Sequence, residues 1–320
     1  MRGLLMMAVL FGACLGAALP APAQDYPNRA VRVVVPFPAG STPDQVARIA
    51  GQQLQDALGQ AFVIDDKPGA QGAIAATEVA KSAHDGYTLL LGTNTTQAQN
   101  PGLFKKLSYD PARDFTPVAR LSSTSLMLVV KPDFPAKNLA EFLAYARAHP
   151  GELSSGYGSA AGRIATGMME SMGGVKMLSV PYKGVPQAAM DVISGQISFT
   201  FVDFAIGLAQ MKGGKLKVLA VTSSARTPLA PEIPALAEEL PGFEFSPWYG
   251  LVAPAGTPRA VVQRLYEAAR KEMAKPEVAG RFTALGLETS LLGLEEFDVF
   301  IKSELLKWTA RIKQAGIPPE

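Results

Sequence analysis

Short β-branched runs alternate with amphipathic stretches along the first third of the chain. The runs at residues 31–37, 61–66 and 87–93 predict strands, and the stretches at 43–58 and 72–81 predict helices. This strand–helix order is typical of a parallel sheet with helices on both faces. Right-handed crossovers then place every strand-to-helix loop at one edge of that sheet.

A second series begins near residue 124, and Gly or Pro separates its members. We predict strands at 123–131, 152–158, 177–182, 197–203, 216–222 and 248–254, and helices at 138–149, 160–172, 185–194, 206–214, 258–275 and 294–314.

Two α/β units and an all-helical C-terminal region predict an α/β fold with two domains. We expect residues 24–125 plus 247–320 to form domain 1, and residues 126–246 to form domain 2. The chain would cross between them twice, and the two crossings would form a hinge. Ligands bind outside the carboxyl ends of strands in open α/β sheets, so two facing sheets would enclose a cleft.

Residues 1–23 have the features of a secretory signal peptide. Arg2 supplies the positive charge, the apolar run Leu4–Leu19 is short for a membrane span, and cleavage is expected after Ala23. Export to the periplasm is therefore predicted. An alternative takes Cys14 as the anchored residue of a lipoprotein signal.

Charge and cysteine content narrow the function classes. Removing residues 1–23 takes away Arg2 and Cys14, which leaves 30 − 1 = 29 basic and 28 acidic residues. A near-neutral chain without basic blocks argues against nucleic acid as a partner. With no cysteine and only His84 and His149, neither a disulfide framework nor a His-rich metal site is expected, and no cofactor is predicted.

The loop after the first strand exposes a helix N-terminus. Gly40 allows a close turn, Ser41 or Thr42 can cap the helix, Pro43 suits its first position and Asp44 lies in its first turn. Free N–H groups and the helix dipole attract a carboxylate or a phosphate there. For one such loop taken alone, ordinary helix capping is the favoured explanation.

Polar loops of this kind recur after other strands, and the recurrence favours anion binding. Arg163 and Lys183 are the candidate cations, and each could instead be a solvated surface charge. No complete nucleotide-binding motif is present, so a small carboxylate suits the loops better than a nucleotide does. The recurring loop residues are Gly69, Gly72, Thr93, Asn94, Thr95, Thr96, Gln97, Gly158, Ser159, Gly162 and Gly184.

Other polar and aromatic residues leave alternatives open. Asp203 ends a predicted strand, where it could receive a ligand's donor group or cap a helix. Phe37 and Tyr157 flank the loops and could contact a ligand's apolar body. Ser159 resembles a nucleophile elbow only loosely, and neither histidine is placed near it, so a hydrolase is the weaker hypothesis.

Several blocks, in order, resemble the Bug family of extracytoplasmic solute-binding proteins, the receptors of tripartite tricarboxylate transporters. The blocks are VPFPAGSTPDQVAR, VIDDKPGAQGAIAA, DGYTLLLGT, NPGLFKKLSYDPARDFTPVARL, VPYKGVPQA and WYGLVAPAGTP. The resemblance covers essentially the whole chain after residue 23. It implies a two-domain periplasmic-binding-protein fold of the Venus flytrap type, with a type II-like arrangement.

The resemblance also implies a binding site in which backbone amides and ordered water hold one carboxylate while domain 2 selects the rest. The implied residues are Phe37, Ala39, Gly40, Ser41, Thr42, Asp44, Gly69, Ala70, Gln71, Gly72, Thr93, Asn94, Thr95, Tyr157, Gly158, Ser159, Ala160, Tyr182, Lys183, Gly184 and Asp203.

Two positions depart from the family's pattern. Pro43 brings no amide to the first loop, and the stretch after Ser159 lacks the usual His-Leu pair. The expected function is a non-catalytic, monomeric periplasmic receptor that closes around one small carboxylate and presents it to membrane permease subunits. The alternatives are a sensory module that docks onto a membrane sensor, and a hydrolase or isomerase that uses the same cleft.

Overall fold

The computed structural model describes residues 26–158, 160–182 and 184–319. Its strands are β1 (Val31–Val35), β2 (Phe62–Asp66), β3 (Thr88–Thr93), β4 (Phe115–Ser123), β5 (Leu126–Val130), β6 (Ser154–Tyr157), β7 (Leu178–Pro181), β8 (Phe199–Asp203), β9 (Lys217–Val221), β10 (Trp248–Pro254) and β11 (Glu288–Leu292). The predicted signal peptide and its predicted cleavage site lie outside the described residues.

The helices frame these strands, with a 3₁₀ turn at Ala70–Gly72 and a π-helical segment at Thr95–Gln99. They are α1 (Thr42–Leu58), α2 (Ala73–Ala80), α3 (Asn100–Leu103), α4 (Leu139–Ala148), α5 (Ala160–Gly173), α6 (Val185–Ser194), α7 (Phe204–Lys212), α8 (Arg259–Met273), α9 (Pro276–Ala284) and α10 (Leu294–Gln314).

Within the described residues, the strands form one sheet of six and one sheet of five. The first has the order β11-β4-β10-β3-β1-β2 and the second the order β7-β6-β8-β5-β9. β1 pairs in parallel with β2 and β3, as the strand–helix alternation predicted. β10 runs antiparallel between β3 and β4, so the first sheet is mixed rather than wholly parallel.

Four of the strands and helices, α3, β4, α9 and β11, were absent from the sequence prediction, and the prediction of an all-helical C-terminal region was wrong. β4 was missed although it pairs with β10 along its length, because Pro117 interrupts its apolar pattern. β11 is short and partly polar, and it pairs antiparallel with β4 through Glu288 and Ser123. α9 precedes it and contains Gly280, which weakens a helical pattern.

The helix α1 illustrates how the pattern places the core. Val46, Ile49, Ala50 and Leu54 recur at helical spacing, and all four are buried in the cluster that contains the β1 valines. The helix ends at Gly59, whose φ of 73° is the left-handed conformation that a glycine adopts readily. The β1–α1 loop is therefore anchored on both sides by buried elements.

The two sheets are joined by more than the two chain crossings. The chain leaves the first sheet after Ser123 and returns to it at Trp248. The crossings touch, since the Thr124 N–H donates to the Pro247 carbonyl at 2.8 Å. The last helix, α10, adds a third connection through the buried residues Trp308 and Ile312.

The α10 contacts belong to the core of the second sheet. Trp308 and Ile312 share one buried cluster with Phe243 and Phe245 from the segment that precedes the second crossing. The carboxylate of Glu304, which is 3% exposed, accepts hydrogen bonds from the indole N–H groups of Trp248 at 3.2 Å and Trp308 at 2.9 Å. A buried carboxylate thus links Trp248, at the second crossing, to Trp308 of α10.

Across the residues that the structure describes, every helix is too short or too polar to cross a membrane.

Candidate functional site

A cavity of about 300 Å³ lies between the two sheets. It brings together five residues that the sequence placed in the binding site: Gln71 from domain 1, and Tyr157, Gly158, Ala160 and Tyr182 from domain 2. The other lining residues are Leu103, Phe104, Arg163, Ile164 and Ile317.

The loop at residues 69–72 approaches the cavity in a strained conformation. Ala70 and Gln71 have φ values of 46° and 50°, in the left-handed region that side chains with a Cβ rarely adopt. Each such residue costs about 1–2 kcal/mol. A Cβ at Gly72 would lie 2.7 Å from the Pro36 side chain and 2.8 Å from that of Thr96, so this position requires glycine. Strained backbone of this kind clusters at ligand sites.

Asn100 stabilises the strained loop through a side-chain hydrogen bond to its backbone. Its Nδ2 group donates to the Gln71 carbonyl at 3.2 Å and to the Tyr109 hydroxyl at 2.9 Å. The Tyr109 hydroxyl in turn donates to the Thr96 carbonyl at 2.6 Å. The loop is thereby tied to the π-helical segment, which explains how two strained residues persist.

Two backbone amides of the first loop (residues 37–42) already have hydrogen-bond partners within this part of the chain. The Gly40 N–H donates to the Asp44 carboxylate at 2.7 Å, and the Ser41 N–H donates to the Pro38 carbonyl at 3.1 Å. Ser41, one of the two predicted capping residues, occupies the N-cap position of α1, but its side chain makes no capping hydrogen bond. The Ser41 hydroxyl oxygen is buried without a hydrogen-bond partner among the described residues.

The buried side chain of Asp44 stabilises the first loop (residues 37–42). Its side chain is 4% exposed and forms an ion pair with Arg48 at 2.7 Å. Arg48 also pairs with Asp66 at 3.2 Å, and burial together with the Asp44 charge raises the pKa of Asp66. The carboxylate of Asp44 thus fixes Gly40 and is not among the residues that line the cavity.

The third loop is buried, contrary to the expectation of exposed donors. Thr93, Asn94 and Thr95 are at most 8% exposed, and the backbone continues as the π-helical segment beneath α10. The N–H of Thr93 donates to the Thr96 hydroxyl at 3.1 Å, and the N–H of Thr96 to the Thr93 hydroxyl at 3.3 Å. Packing against α10, about 200 residues later in the chain, accounts for the difference.

The domain 2 loops touch through their backbones. A Cβ at Gly158 would lie 2.0 Å from the Gly184 carbonyl carbon and 2.2 Å from the Val185 nitrogen. The Tyr182 hydroxyl donates to Asp191 at 2.8 Å, and burial and that hydrogen bond raise the pKa of Tyr182. The loops after β6 and β7 are therefore one unit. Ser159 and Lys183 lie outside the described residues.

Asp203 ends β8 at the N-cap position of α7, but its side chain makes no capping bond. The capping alternative is therefore not supported. Burial raises the pKa of Asp203, and burial and the Asp203 charge raise the pKa of Tyr249. Tyr249 and Trp248 are buried, 6% and 1% exposed.

Several cavity residues were not assigned to the site from the sequence. Ile164 follows Ala160 by four positions, so the helical period could have placed it on the same face. Leu103 and Phe104 follow the buried third loop, and Ile317 comes from beyond α10. Ile317 gives no local signal, because only its packing in the tertiary structure brings it to the cavity.

Arg163 was considered only as a candidate cation. It lies on α5, is partly buried, and its guanidinium carbon is 5.9 Å from the centre of the Tyr157 ring. The two histidines lie elsewhere: His149 stacks on Tyr145 at 4.1 Å, and His84 lies beside Gly256. The described residues contain no group of three or more metal-binding side chains.

Comparisons with known proteins agree with this architecture. Residues 46–317 match the model of the tripartite tricarboxylate transporter family receptor. Protein BugT of Bordetella pertussis is 32% identical and covers 99% of this chain and 98% of its own.

Solved structures show the same similarity. The structure of R. palustris Rpa4515 with adipate has 33% identity and a TM-score of 0.84, and covers 92% of this chain and 100% of its own. MatC from Rhodopseudomonas palustris with bound malate has 32% identity and a TM-score of 0.77, and covers 90% of this chain and 100% of its own. From the family model, the near full-length relatives and the shared two-sheet fold, the chain belongs to the receptor family of tripartite tricarboxylate transporters, the Bug-like periplasmic solute-binding proteins.

Proposed function

We propose that this receptor binds a small organic carboxylate in the cavity between its sheets and delivers it to the membrane subunits of a tripartite transporter. The lining of the cavity carries this proposal. Among its described residues Arg163 is the one charged side chain, and the rest are apolar, aromatic or neutral polar. An anion that enters therefore meets a cation and no like charge. Relatives solved with adipate and with malate support the carboxylate class.

The loops of domain 1 supply the other half of the proposed site. Ser41 offers a buried hydroxyl that has no hydrogen-bond partner among the described residues, and Gln71 is exposed on a strained loop. We expect backbone amides from the 37–42 and 69–72 loops to hold one carboxylate, and Phe37 and Tyr157 to contact the ligand's apolar part. Asp44 and Thr93–Thr95 contribute by supporting these loops.

Binding is coupled to closure of the two domains, which we place at 24–125 plus 247–320 and at 126–246. A ligand that contacts both Gln71 and Arg163 stabilises the closed state by its differential affinity. A transporter that recognises the closed state then receives only loaded receptor. The receptor acts as a monomer in the periplasm after cleavage at Ala23.

A thermal-shift screen of residues 24–320 tests the proposed function. The panel holds mono-, di- and tricarboxylates, amino acids, nucleotides and carboxylic esters. A ligand at a hundred times its dissociation constant stabilises the native state by about 2.7 kcal/mol. A shift with a carboxylate supports the proposal; a shift with nucleotides alone, or turnover of an ester, overturns it.

Experiments in cells test export and transport, the two remaining parts of the proposal. The exported protein should begin at Gln24 when its N-terminus is read by mass spectrometry; an uncleaved N-terminus contradicts export by this signal. Deleting the gene should abolish uptake of the bound carboxylate. A response to that carboxylate that persists in cells lacking the permease would instead identify a sensor.

A further inference from the structure

A second concave surface lies between the segment at residues 101–111 and α10. It is a groove of about 590 Å³. The apolar part of its lining is Pro101, Phe104, Leu107, Pro111 and Leu305. Leu306, the next residue of α10, is 75% exposed, the highest value for a large apolar side chain among the described residues. Apolar surface gathered in this way marks a site of interaction with another molecule.

The exposed charges next to the groove are positive. In the stretch 101–114, the exposed charged residues are Lys105, which lines the groove, Lys106 and Arg113. The two acids of this stretch, Asp110 and Asp114, are half-buried, and their carboxylates accept backbone N–H groups at 2.9 Å and 2.7 Å. An acidic partner is therefore attracted to this surface, and a basic partner is repelled.

The groove shares a wall with the ligand cavity. Phe104 lines both of them, and the preceding residue, Leu103, lines the cavity and is buried in the core of the second sheet. A ligand that displaces the Phe104 ring from the cavity side therefore also changes the shape of the groove. The outer surface of the molecule can thereby report whether the cavity is occupied.

α10 connects the groove to both sheets. A Cβ at Gly102 would lie 3.0 Å from the Ile312 Cδ1 atom, and a Cβ at Gly167 would lie 3.2 Å from the Ala315 Cβ atom. The last turns of α10 thus pack closely on α3 and on α5. Since α5 packs on the second sheet, movement of one sheet relative to the other also alters the surface that α3 and α10 present together.

We propose that the groove between residues 101–111 and α10 is the surface with which the receptor docks onto an acidic, partly apolar segment of its membrane permease. The wall at Phe104 makes docking depend on occupancy of the cavity. A second copy of the receptor fits less well, because a symmetrical pairing through this surface would bring its cations face to face. This inference rests on the proposed function, in which the receptor delivers its carboxylate to the permease.

Uptake by cells that lack the chromosomal receptor gene and carry one variant each tests the docking surface. The solute is the panel carboxylate that gives the wild type its largest thermal shift. Leu306→Asp adds a negative charge where the acidic segment would dock and should reduce uptake at least about 10-fold. Lys105→Glu should reduce uptake about 3- to 10-fold, whereas Lys105→Arg keeps the charge and should not. Isothermal titration should give dissociation constants for this carboxylate within about 3-fold of the wild type for all three variants.

Val63→Asp is the matched control. Val63 is also an exposed apolar residue, 52% exposed, and it lies on β2 at an edge of the first sheet. This variant should transport as the wild type does. The melting temperature and the amount of protein in the periplasm report whether each variant folds and is exported.

A photo-crosslinking phenylalanine derivative at position 306 identifies the occupant of the groove. In cells, the adduct should contain peptides of the permease, and its yield should rise when the carboxylate is added. The same derivative at position 63 should give no permease adduct. In the Phe104→Ala receptor at saturating carboxylate, the yield at position 306 should no longer rise, because the shared wall is missing.

Normal uptake by Leu306→Asp, an adduct without permease peptides, or an adduct with a second receptor copy overturns the docking surface. A yield that rises equally in the Phe104→Ala receptor overturns the coupling to the cavity. Each of these results leaves carboxylate binding intact. A wild type that binds no carboxylate in the thermal-shift panel overturns the proposed function itself, so the two failures are distinguishable.

Discussion

Replacing Gly158 with alanine should separate the two domain 2 loops that border the cavity. The added Cβ would lie 2.0 Å from the Gly184 carbonyl carbon, whereas ordinary contacts begin at 3.4 Å, so the backbones must move apart by about 1.4 Å. Overpacking of this kind costs about 1–3 kcal/mol. Since the obstacle is backbone rather than a flexible side chain, we expect the upper part of that range.

The consequences can be measured separately for stability and for binding. A loss of 1–3 kcal/mol lowers the melting temperature of a chain of this size by roughly 2–10 °C. A ligand site tolerates displacements of only about 0.5 Å, so carboxylate affinity should fall at least about 10-fold. Thermal denaturation and isothermal titration give the two quantities.

Gly280→Ala is the matched control, because a Cβ at Gly280 meets nothing within 4 Å and the residue lies inside α9. Its affinity should equal that of the wild type, and alanine should stabilise the helix by up to about 1 kcal/mol. A Gly158→Ala protein with the melting temperature and affinity of the wild type would refute the close approach of the two loops.

Three further changes follow from the contacts described above. Asn100→Ala removes the donor to the Gln71 carbonyl and should weaken carboxylate binding about 10-fold, measured by isothermal titration. Unchanged affinity would mean that the strained loop keeps its conformation without this hydrogen bond. Glu304→Ala leaves two buried indole N–H groups without their acceptor and should lower the free energy of unfolding by about 2–5 kcal/mol, measured by chemical denaturation. Glu304→Gln keeps an acceptor and should lose less stability. Equal losses in the two variants would argue against the hydrogen bonds. Burial raises the pKa of Asp203, so the folded state binds its proton more tightly than the unfolded chain and loses stability as the pH rises above about 4. Asp203→Asn should therefore raise the melting temperature at pH 8 but not at pH 4, and an equal difference at both pH values would contradict this.

The sequence pattern alone was sufficient to predict those helices and strands whose ends are marked by residues in the sequence. The bounds of β10, α6 and α10 agree with the sequence prediction to the residue, since glycine, proline or a change of period marks each end. The order of strands and helices also predicted the parallel core of the first sheet and the α/β class.

The rest depended on contacts between distant parts of the chain. Thr95 follows a strand and is polar, which locally indicates an exposed loop, yet the π-helical segment that it begins packs against α10. Ile317 reaches the cavity only because the end of α10 packs on domain 2. Arg163 could be placed on a helix, but its distance to the cavity required the fold. Leu103, Phe104 and Ile317 were therefore beyond local pattern.

The bridging of both sheets by α10 bears on how the chain folds. Trp308, Ile312 and Ile317 complete a buried cluster whose other members end at Phe245, so this core closes only after 317 − 245 = 72 further residues have been synthesised. Contacts this distant in sequence form late and slowly. A fragment limited to residues 126–246 would leave Phe243 and Phe245 uncovered. We therefore expect the two domains that we propose to close around a ligand to fold as a single cooperative unit, completed by the final helix.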